Sequence, residues 1–531
     1  MSEKENERRK SRLSTRSLEA YFFLRHSCRK CIELSIIAKR VFCQKVSSSK
    51  TITKFSLPFK YYMNYTAVTS EHIEQFQKML SADRILTDEE NLLRCASDET
   101  EDFVFRPHVV LQPVSTEEIS KIMKFCYEQN MAVTPRGAGT GLSGGALPVS
   151  GGIVLDMKRM NKIIHIDAEN FQVTTEPGII TEELMQAVRK EGLFYPVDPS
   201  SKGSCFIGGN VAENSGGARA VKYGVVKDYV LNLEIVLPNG EILWTGANTL
   251  KNSTGYNLTQ LIVGSEGTLA IVTKIVLKLL PPPTRNLLIF VPFHSTEEAC
   301  RAVNKVFLAG YTPSALEFME KDALVIAQNY LGVYPIQITG DLAAALLIEV
   351  DGNDEEQLMR EMEGIVNVME QFNPGEILFA DNDTSKEALW KVRRVMGEAA
   401  KHSSTYKEED TVVPRGRLPE LMKKVKDLGS EYGFESICYG HAGDGNLHIN
   451  ILKRAMPDDA WKNILPEAIR KLFIYTRELG GTISGEHGIG YVQKSYMDIV
   501  FSETGISLQK QIKQLFDPKK ILNPGKMFPD H

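Results

Sequence analysis

Two short stretches of this chain concentrate side chains that could bind a metal and move a proton. His441-Ala-Gly-Asp-Gly-Asn-Leu-His448 runs into Ile449 to Leu452, and Ser484-Gly-Glu-His-Gly-Ile-Gly490 follows later. Neutral imidazole and carboxylate are the usual ligands of a divalent metal such as zinc. Two histidines and one glutamate leave a coordination position open for a substrate. Glycines beside His441 and Glu486 let the chain turn these side chains inward. A lone histidine is more often a structural hydrogen-bonding residue, but three of the chain's ten histidines fall in these two stretches, which favours a metal site. Leu389, Arg393, Met396 and Ala400 share one helical stripe, so Arg393 faces the apolar side and Arg394 faces away. Arg393 is then either paired with a structural acid or a planar fork for a substrate carboxylate.

A second chemistry is written in glycine. Pro135-Arg-Gly-Ala-Gly-Thr-Gly-Leu-Ser-Gly-Gly145 contains the spacing of a dinucleotide fingerprint. That fingerprint needs a helix directly after the glycines, because the helix N-terminus holds the pyrophosphate. Here Ala146-Leu-Pro-Val-Ser-Gly-Gly152 follows instead, so a Rossmann NAD site is rejected. Successive glycines can still converge backbone N–H groups on an anion without a helix, and Thr140 and Ser143 add hydroxyl donors. Ser204-Cys-Phe-Ile-Gly-Gly-Asn-Val-Ala-Glu-Asn-Ser-Gly-Gly-Ala218 and Val263-Gly-Ser-Glu-Gly-Thr-Leu269 repeat the theme. Glycine permits close backbone approach to a flat ligand, and asparagine offers donors and acceptors to its edge. Three such loops suit one large cofactor in a cleft.

The elements that must carry these loops follow from periodicity. Ser115-Thr-Glu-Glu118 reads as a capping box before the helical stripe Ile119, Ile122, Met123, Cys126. Strands are expected at 132–135, 153–157 and 171–175, a helix at 182–191 ending at Gly192, and a hairpin turning at Asn239-Gly240. Pro281-Pro-Pro283 ends a β-rich run and marks a domain boundary. Beyond it β and α alternate in the manner of a small, ferredoxin-like α/β sandwich. Single long helices are expected at 385–401 and 461–479, and paired strands at 434–439 and 447–452. The expected division is an extension (1–69), a cofactor domain (70–283), a substrate or cap domain (284–500) and a C-terminal segment (501–531) returning to the cofactor. The fold class expected is α+β.

Composition narrows the classes of function. The 531 residues carry a net charge of -5, which gives no footing for nucleic acid, and no apolar run is long enough to span a membrane. Cysteines are dispersed apart from Cys28 and Cys31, as in a reducing compartment, and form no iron–sulfur set. Residues 1–62 differ, with 15 Lys and Arg against 5 Asp and Glu. They read as an extension without a fold of its own, with Met63 a second candidate start, or as a targeting segment, or as a basic docking arm. The expected location is cytoplasmic, at a membrane surface at most, or mitochondrial if that segment is a targeting signal.

These motifs together resemble the FAD-linked oxidases of the vanillyl-alcohol oxidase and para-cresol methylhydroxylase type. Within them, the chain is similar to glycolate oxidase D subunits, D-lactate dehydrogenases and D-2-hydroxyglutarate dehydrogenases. The resemblance is carried by the first glycine loop, Ile207-Gly-Gly-Asn-Val211, Asn214-Ser-Gly-Gly217, Gly264-Ser-Glu-Gly-Thr268, Ile521-Leu-Asn-Pro-Gly525 and the two histidine motifs. It implies an FAD domain of the methylhydroxylase type, a cap domain and a C-terminal helical segment. It implies FAD contacts from Arg136, Gly137, Ala138, Gly139, Thr140, Gly141, Ser143 and Gly144. It implies further contacts from Ser204, Ile207, Gly208, Gly209, Asn210, Asn214, Gly216 and Gly217, and from Gly264, Ser265, Glu266, Gly267, Thr268 and Asn523. No histidine lies between His108 and His165, so the flavin is expected to be held non-covalently. The resemblance also implies that His441, His448 and Glu486 bind a divalent metal, zinc by choice of ligands. His487 would be the general base, Arg393 the carboxylate clamp, and Asn450 and Lys407 substrate neighbours. Gly397 departs from the hydroxyglutarate branch, which places Thr there, and the run Asp410-Thr-Val-Val-Pro-Arg415 is closer to the glycolate and lactate branch. The implied reaction is oxidation of a small D-2-hydroxy acid to its 2-oxo acid, with hydride passing to flavin N5. An external acceptor (a quinone, a cytochrome, an electron-transfer flavoprotein or an iron–sulfur subunit) would reoxidise the flavin. The alternatives are another substrate on the same scaffold, such as a sugar lactone or D-2-hydroxyglutarate, and a non-catalytic flavoprotein subunit.

Overall fold

The computed structural model of the chain describes residues 65–100, 103–338 and 340–530. The basic segment, with Cys28, Cys31 and Met63, lies outside the described residues. Strands β1 (Ile85–Leu86), β2 (Val109–Leu111), β3 (Val133–Arg136) and β4 (Ile153–Asp156) form a sheet in the order β1-β2-β4-β3. Helix Thr116–Gln129 connects β2 to β3, and Ser115 caps it by accepting from the Glu118 N–H. Its stripe Ile119, Ile122, Met123, Cys126 is buried, as the spacing requires. Between β3 and β4 the glycine-rich segment runs as turns and bends with no helix, which removes the nucleotide-binding helix terminus of a Rossmann unit.

The second sheet is antiparallel throughout: β5 (Ile163–Asp167), β6 (Gln172–Thr175), β7 (Val230–Val236), β8 (Ile242–Trp244) and β9 (Ile271–Lys278), in the order β5-β6-β9-β7-β8. The β7–β8 turn is the Asn239-Gly240 turn, with Gly240 at φ 89, a conformation that glycine adopts without strain. Helix Thr181–Lys190 packs Leu184 and Val188 beneath this sheet. The second glycine loop holds a helical turn that the sequence did not suggest, Ile207–Glu213.

The three prolines at 281–283 separate β9 from β10, and every later strand joins a third sheet. It comprises β10 (Arg285–Phe293), β11 (Ala315–Glu320), β12 (Ala344–Gly352), β13 (Leu378–Ala380), β14 (Tyr406–Val412), β15 (Glu435–Gly440) and β16 (Asn446–Leu452). The order is β13-β10-β12-β11-β15-β16-β14, all antiparallel. The expected sandwich is therefore part of a larger layer with helices on both faces. Ile289, Val291 and Phe293 of β10 join one core, while Leu288 and Phe290 join another on the opposite face. A strand apolar on both sides must be covered on both sides. Strands β11 and β14 lie where the sequence suggested none.

Two expected helices are interrupted. The first divides into Asp383–Arg394 and Met396–Ser403, because Val395 leaves helical geometry (φ -91, ψ 1). The second divides into Asp458–Asn463 and Leu465–Glu478, where Pro466 cannot donate to the preceding turn and instead starts the new helix. After helix Glu503–Phe516 the chain returns to the first sheet. The Val133 N–H donates to the Ile521 carbonyl at 2.8 Å, and the Asn523 N–H donates to the Val133 carbonyl at 2.9 Å.

Candidate active site

The site is built on one face of the third sheet. β16 lies between β15 and β14, with His448 opposite Tyr439 and Asp410, and Asn450 opposite Glu408. Side chains alternate along a strand, so Asn446, His448 and Asn450 share a face while Leu447, Ile449 and Ile451 enter the core behind it. Burying those three apolar side chains stabilises the sheet by roughly 1.5–3 kcal/mol each and fixes the register that aims the polar ones. His441 follows β15 directly. The turn back into β16 needs Gly445 at φ 79, where a Cβ would collide with the Val413 carbonyl.

Glu486 and His487 reach this face from a turn held by Asp410. Its Oδ2 accepts from the N–H groups of Gly485 (2.7 Å), Glu486 (2.7 Å) and His487 (3.0 Å), and from the Ser484 hydroxyl (3.1 Å). Its Oδ1 accepts from Asn446 Nδ2 at 2.6 Å. The sequence motifs separated by this fold thus converge. His441 Nε2 lies 3.4 Å and His448 Nε2 3.6 Å from the same Glu486 oxygen. One ligand atom from each of His441, His448 and Glu486 lies within 4.8 Å of the others. Each histidine turns its other nitrogen to a buried acid: His441 Nδ1 sits 2.8 Å from Glu317, and His448 Nδ1 sits 3.3 Å from Glu408. A carboxylate is acceptor-only, so this arrangement favours protonated Nδ1 and an Nε2 lone pair facing inward, the tautomer a metal requires. His448 Nδ1 has no hydrogen bond of good geometry, and Asn450 is fully buried with both amide atoms unpartnered. This donor set fits a divalent cation.

The electrostatics follow from burial and from these neighbours. Burial opposes charge on His441, but Glu317 and Glu486 outweigh it and raise its pKa to about 10. Burial and the neighbouring His487 and His441 push His448 down to about 3. Burial alone would raise Glu486, yet the three histidines hold it well below the usual carboxylate range. His487 is raised, because Asp410, Glu408 and Glu486 overcome its desolvation. Its ring stacks on His448 at 5.2 Å between centroids.

A cleft of about 510 Å³ connects this face to the glycine loops. Glu408, Tyr439, His448, Glu486, His487 and Arg393 line it on one part. Arg136 through Gly141, Ser204, Gly208, Gly209, Asn210, Ser265, Glu266, Gly267 and Asn523 line the rest. A Cβ at Gly141 or Gly209 would meet no protein atom within 4 Å, and the buried Arg136 Nη1 has no partner. Open space beside backbone, with a free guanidinium nitrogen, fits a large anionic cofactor.

Other expected cofactor residues do structural work instead of lining the cleft. The Ser143 carbonyl accepts from the Tyr491 and Val492 N–H groups, and Gly144 packs against Tyr491. Ile207 belongs to the core beneath the second sheet. Asn214 ends its helix at φ 55 and accepts from the Lys227 N–H. The Gly216 N–H donates to Glu486 Oε2 at 3.1 Å, so this residue touches the group formed by His441, His448 and Glu486. Gly217 is pressed against Asp198, the Gly264 N–H donates to Val211, and the buried Thr268 hydroxyl donates to the Ser265 carbonyl. Lys407 alternates onto the opposite face of β14 from Glu408 and is not among the residues that line the cleft. Arg393 sits in the cleft wall, 2.6 Å from Glu317 and stacked over Tyr439, while its Nε has no hydrogen-bond partner. Both readings of Arg393 therefore meet in one residue: it has its acid and keeps a free donor.

The comparisons with known proteins decide the family. A family model described as FAD linked oxidases, C-terminal domain matches residues 282–527, and one described as FAD binding domain matches 107–246. The chain is 39% identical to a D-lactate dehydrogenase of Anaerostipes hadrus, covering 87% of this chain and 98% of that relative. This chain belongs to the FAD-linked oxidases. It is also 40% identical to glycolate oxidase subunit GlcD of Bacillus subtilis, covering 81% of this chain and 91% of that one. The structure of p-cresol methylhydroxylase aligns with a TM-score of 0.70 at 17% identity, over 87% of this chain and 97% of that one, which extends the likeness of fold alone.

As an FAD-linked oxidase the chain is an oxidoreductase. Among the described residues no helix is long and apolar enough to cross a membrane. The sequence did not reveal Glu317, Glu408, Asp410 or Tyr439 of this FAD-linked oxidase. Glu409 and Asp410 are buried where β14 pairs with β16, with Glu408 only partly covered, and the sequence suggested no strand there. Glu317 stands in Ala315-Leu-Glu-Phe-Met-Glu320, whose acids fall three residues apart and give no strand alternation, so the sequence carried no signal for it.

Proposed function

We propose that this FAD-linked oxidase oxidises a small D-2-hydroxy acid, of the D-lactate or glycolate type, to its 2-oxo acid with the help of a divalent metal. The observation that carries this reading is that one cleft is lined both by the glycine loops and by His448, Glu486, His487 and Arg393. The names of the 39% and 40% identical relatives support the substrate class. His441, His448 and Glu486 would hold the metal, zinc by ligand type. Bound FAD supplies a two-electron hydride acceptor, and a bound divalent ion supplies Lewis acidity that makes a hydroxyl easier to deprotonate.

The chain's own residues do the rest. Arg393 offers its free Nε to the substrate carboxylate, with Tyr439 backing the guanidinium plane. His487, held by its N–H to Asp410, takes the hydroxyl proton at its imidazole. Three acids around His487 stabilise the imidazolium that results. Asn450, fully buried beside His448 on β16 and outside the cleft lining, would support the site from behind. An external acceptor would have to take up the electrons, because the described cysteines are buried singly and form no cluster that could hold a second redox centre.

The test is anaerobic titration of the purified yellow protein. D-lactate or glycolate should bleach the flavin, L-lactate should not, and a chelator should stop the bleaching until zinc or manganese is restored. His487→Ala should slow reduction by about 100-fold or more with FAD still bound. A yellow protein that no 2-hydroxy acid bleaches would overturn the reading.

A further inference from the structure

Glu317 is fully buried on β11, on the sheet face that carries His448. Its carboxylate lies 2.8 and 3.0 Å from His441 Nδ1, and its Oε2 lies 2.6 Å from Arg393 Nη2. One side chain thus touches a candidate metal ligand that follows β15 and a candidate substrate clamp on helix Asp383–Arg394. Burying an unpaired carboxylate costs several kcal/mol, so two partners are needed to hold it ionised. Burial raises the Glu317 pKa, but His441 and Arg393 pull it below the ordinary value.

Charge pairing with Arg393 accounts for one of the two contacts. The second contact is of a different kind. A carboxylate on the Nδ1 of a histidine that ligates through Nε2 fixes both the tautomer and the ring direction. The first contact is an ion pair: Glu317 Oε2 lies 2.6 Å from Arg393 Nη2, while neither Nη2 nor Nε makes a hydrogen bond of good geometry, so charge holds the guanidinium beside the carboxylate and leaves its donors for a ligand. Glu317 does not line the flavin cleft, but together with His441 and Arg393 it lines a separate cleft of about 410 Å³. Resting on the metal-assisted reading above, we propose that Glu317 is a positioning residue that sets the ring of His441 and the guanidinium of Arg393 together. Metal affinity and substrate-carboxylate affinity then depend on one side chain.

The experiment uses the full FAD-loaded chain and two variants, Glu317→Gln and Glu317→Asp. Zinc affinity is measured by competition with a chelator. Oxalate, a carboxylate probe with no C–H hydride to give, is titrated at saturating zinc through the flavin spectrum. FAD content serves as the check of folding, because Glu317 does not line the cleft that the glycine loops share. Glu317→Gln should bind zinc about 10-fold or more weakly, and oxalate should weaken by a similar factor, with FAD content unchanged. Glu317→Asp keeps the charge and shortens the reach, so both affinities should fall by less, and it decides the matter if the glutamine variant does not fold. Parental affinity for both ligands in a folded variant overturns the positioning role. Loss of only one affinity overturns the shared role. A parent protein that binds neither zinc nor oxalate brings down the metal-assisted reading and this inference with it.

Discussion

At Asp410 a single carboxylate oxygen accepts hydrogen bonds from three successive backbone N–H groups and a hydroxyl. Hydrogen bonds to a buried charged acceptor contribute more than neutral ones, about 1.5–3 kcal/mol each. Asp410→Asn should therefore destabilise the protein by about 2 kcal/mol or more, read by urea unfolding. The same variant should slow flavin reduction, because the turn bearing Glu486 and His487 loses its anchor. Parental stability would show that Ser484 and the strand pairing hold the turn unaided. At Arg393 the expectation is different. Arg393→Lys keeps the charge facing Glu317 but loses the planar fork, so the KM for the hydroxy acid should rise about 10-fold with a smaller change in kcat. Steady-state kinetics decide this, and an unchanged KM would leave Arg393 as a partner of Glu317 alone. His441, His448, Glu486 and His487 could be picked out in the sequence because rare side chains were packed among glycines. The acids that support them could not, since an acid's burial depends on which strand it pairs with.

The elements that could be read from the sequence were those with a local signal. The capped helix Thr116–Gln129, the Asn239-Gly240 hairpin and the proline break before β10 each announce themselves within a few residues. Strands β11 and β14 do not, because their acidic residues make sense only beside His441 and His448. The glycine loops divide in the same way. Gly208 is a packing glycine, since a Cβ there would stand 2.5 Å from Pro177 Cβ, whereas Gly209 faces open cleft. The two neighbours give opposite expectations. Gly209→Ala should raise the stability of the FAD-stripped chain by about 0.5–1 kcal/mol, as alanine does within a helix, and should weaken FAD binding. Gly208→Ala should lower stability. Thermal unfolding with and without FAD separates the two outcomes, and undiminished FAD affinity in Gly209→Ala would move the flavin away from this wall.

Across the molecule, distant segments depend on one another. Ile521 and Leu522 are completely buried against the first sheet, the Asn523 side chain donates to the Glu266 carbonyl, and Lys526 donates to the Gly145 carbonyl. Removing residues 518–531 should cost several kcal/mol, since each buried apolar side chain contributes about 1.5–3 kcal/mol, and should weaken FAD binding at the loops it braces. Behind β14, burial raises the Glu409 pKa to about 8, with Lys407 opposing. An acid whose folded pKa exceeds its unfolded one holds more protons when folded, so its contribution falls as pH rises from about 4.5 to 8. Glu409→Gln should therefore gain on the parent by about 3–4 kcal/mol between pH 5 and pH 8.5, measured by urea unfolding at both. A constant gap would place Glu409 in contact with water. The double duty of β16 has a practical outcome for anyone redesigning this enzyme. Residues 446–452 supply hydrocarbon to one layer and ligands to the next, so a single inserted or deleted position would exchange the two sets. Libraries built across this stretch should yield active, folded variants or aggregates, with few inactive but stable proteins between them.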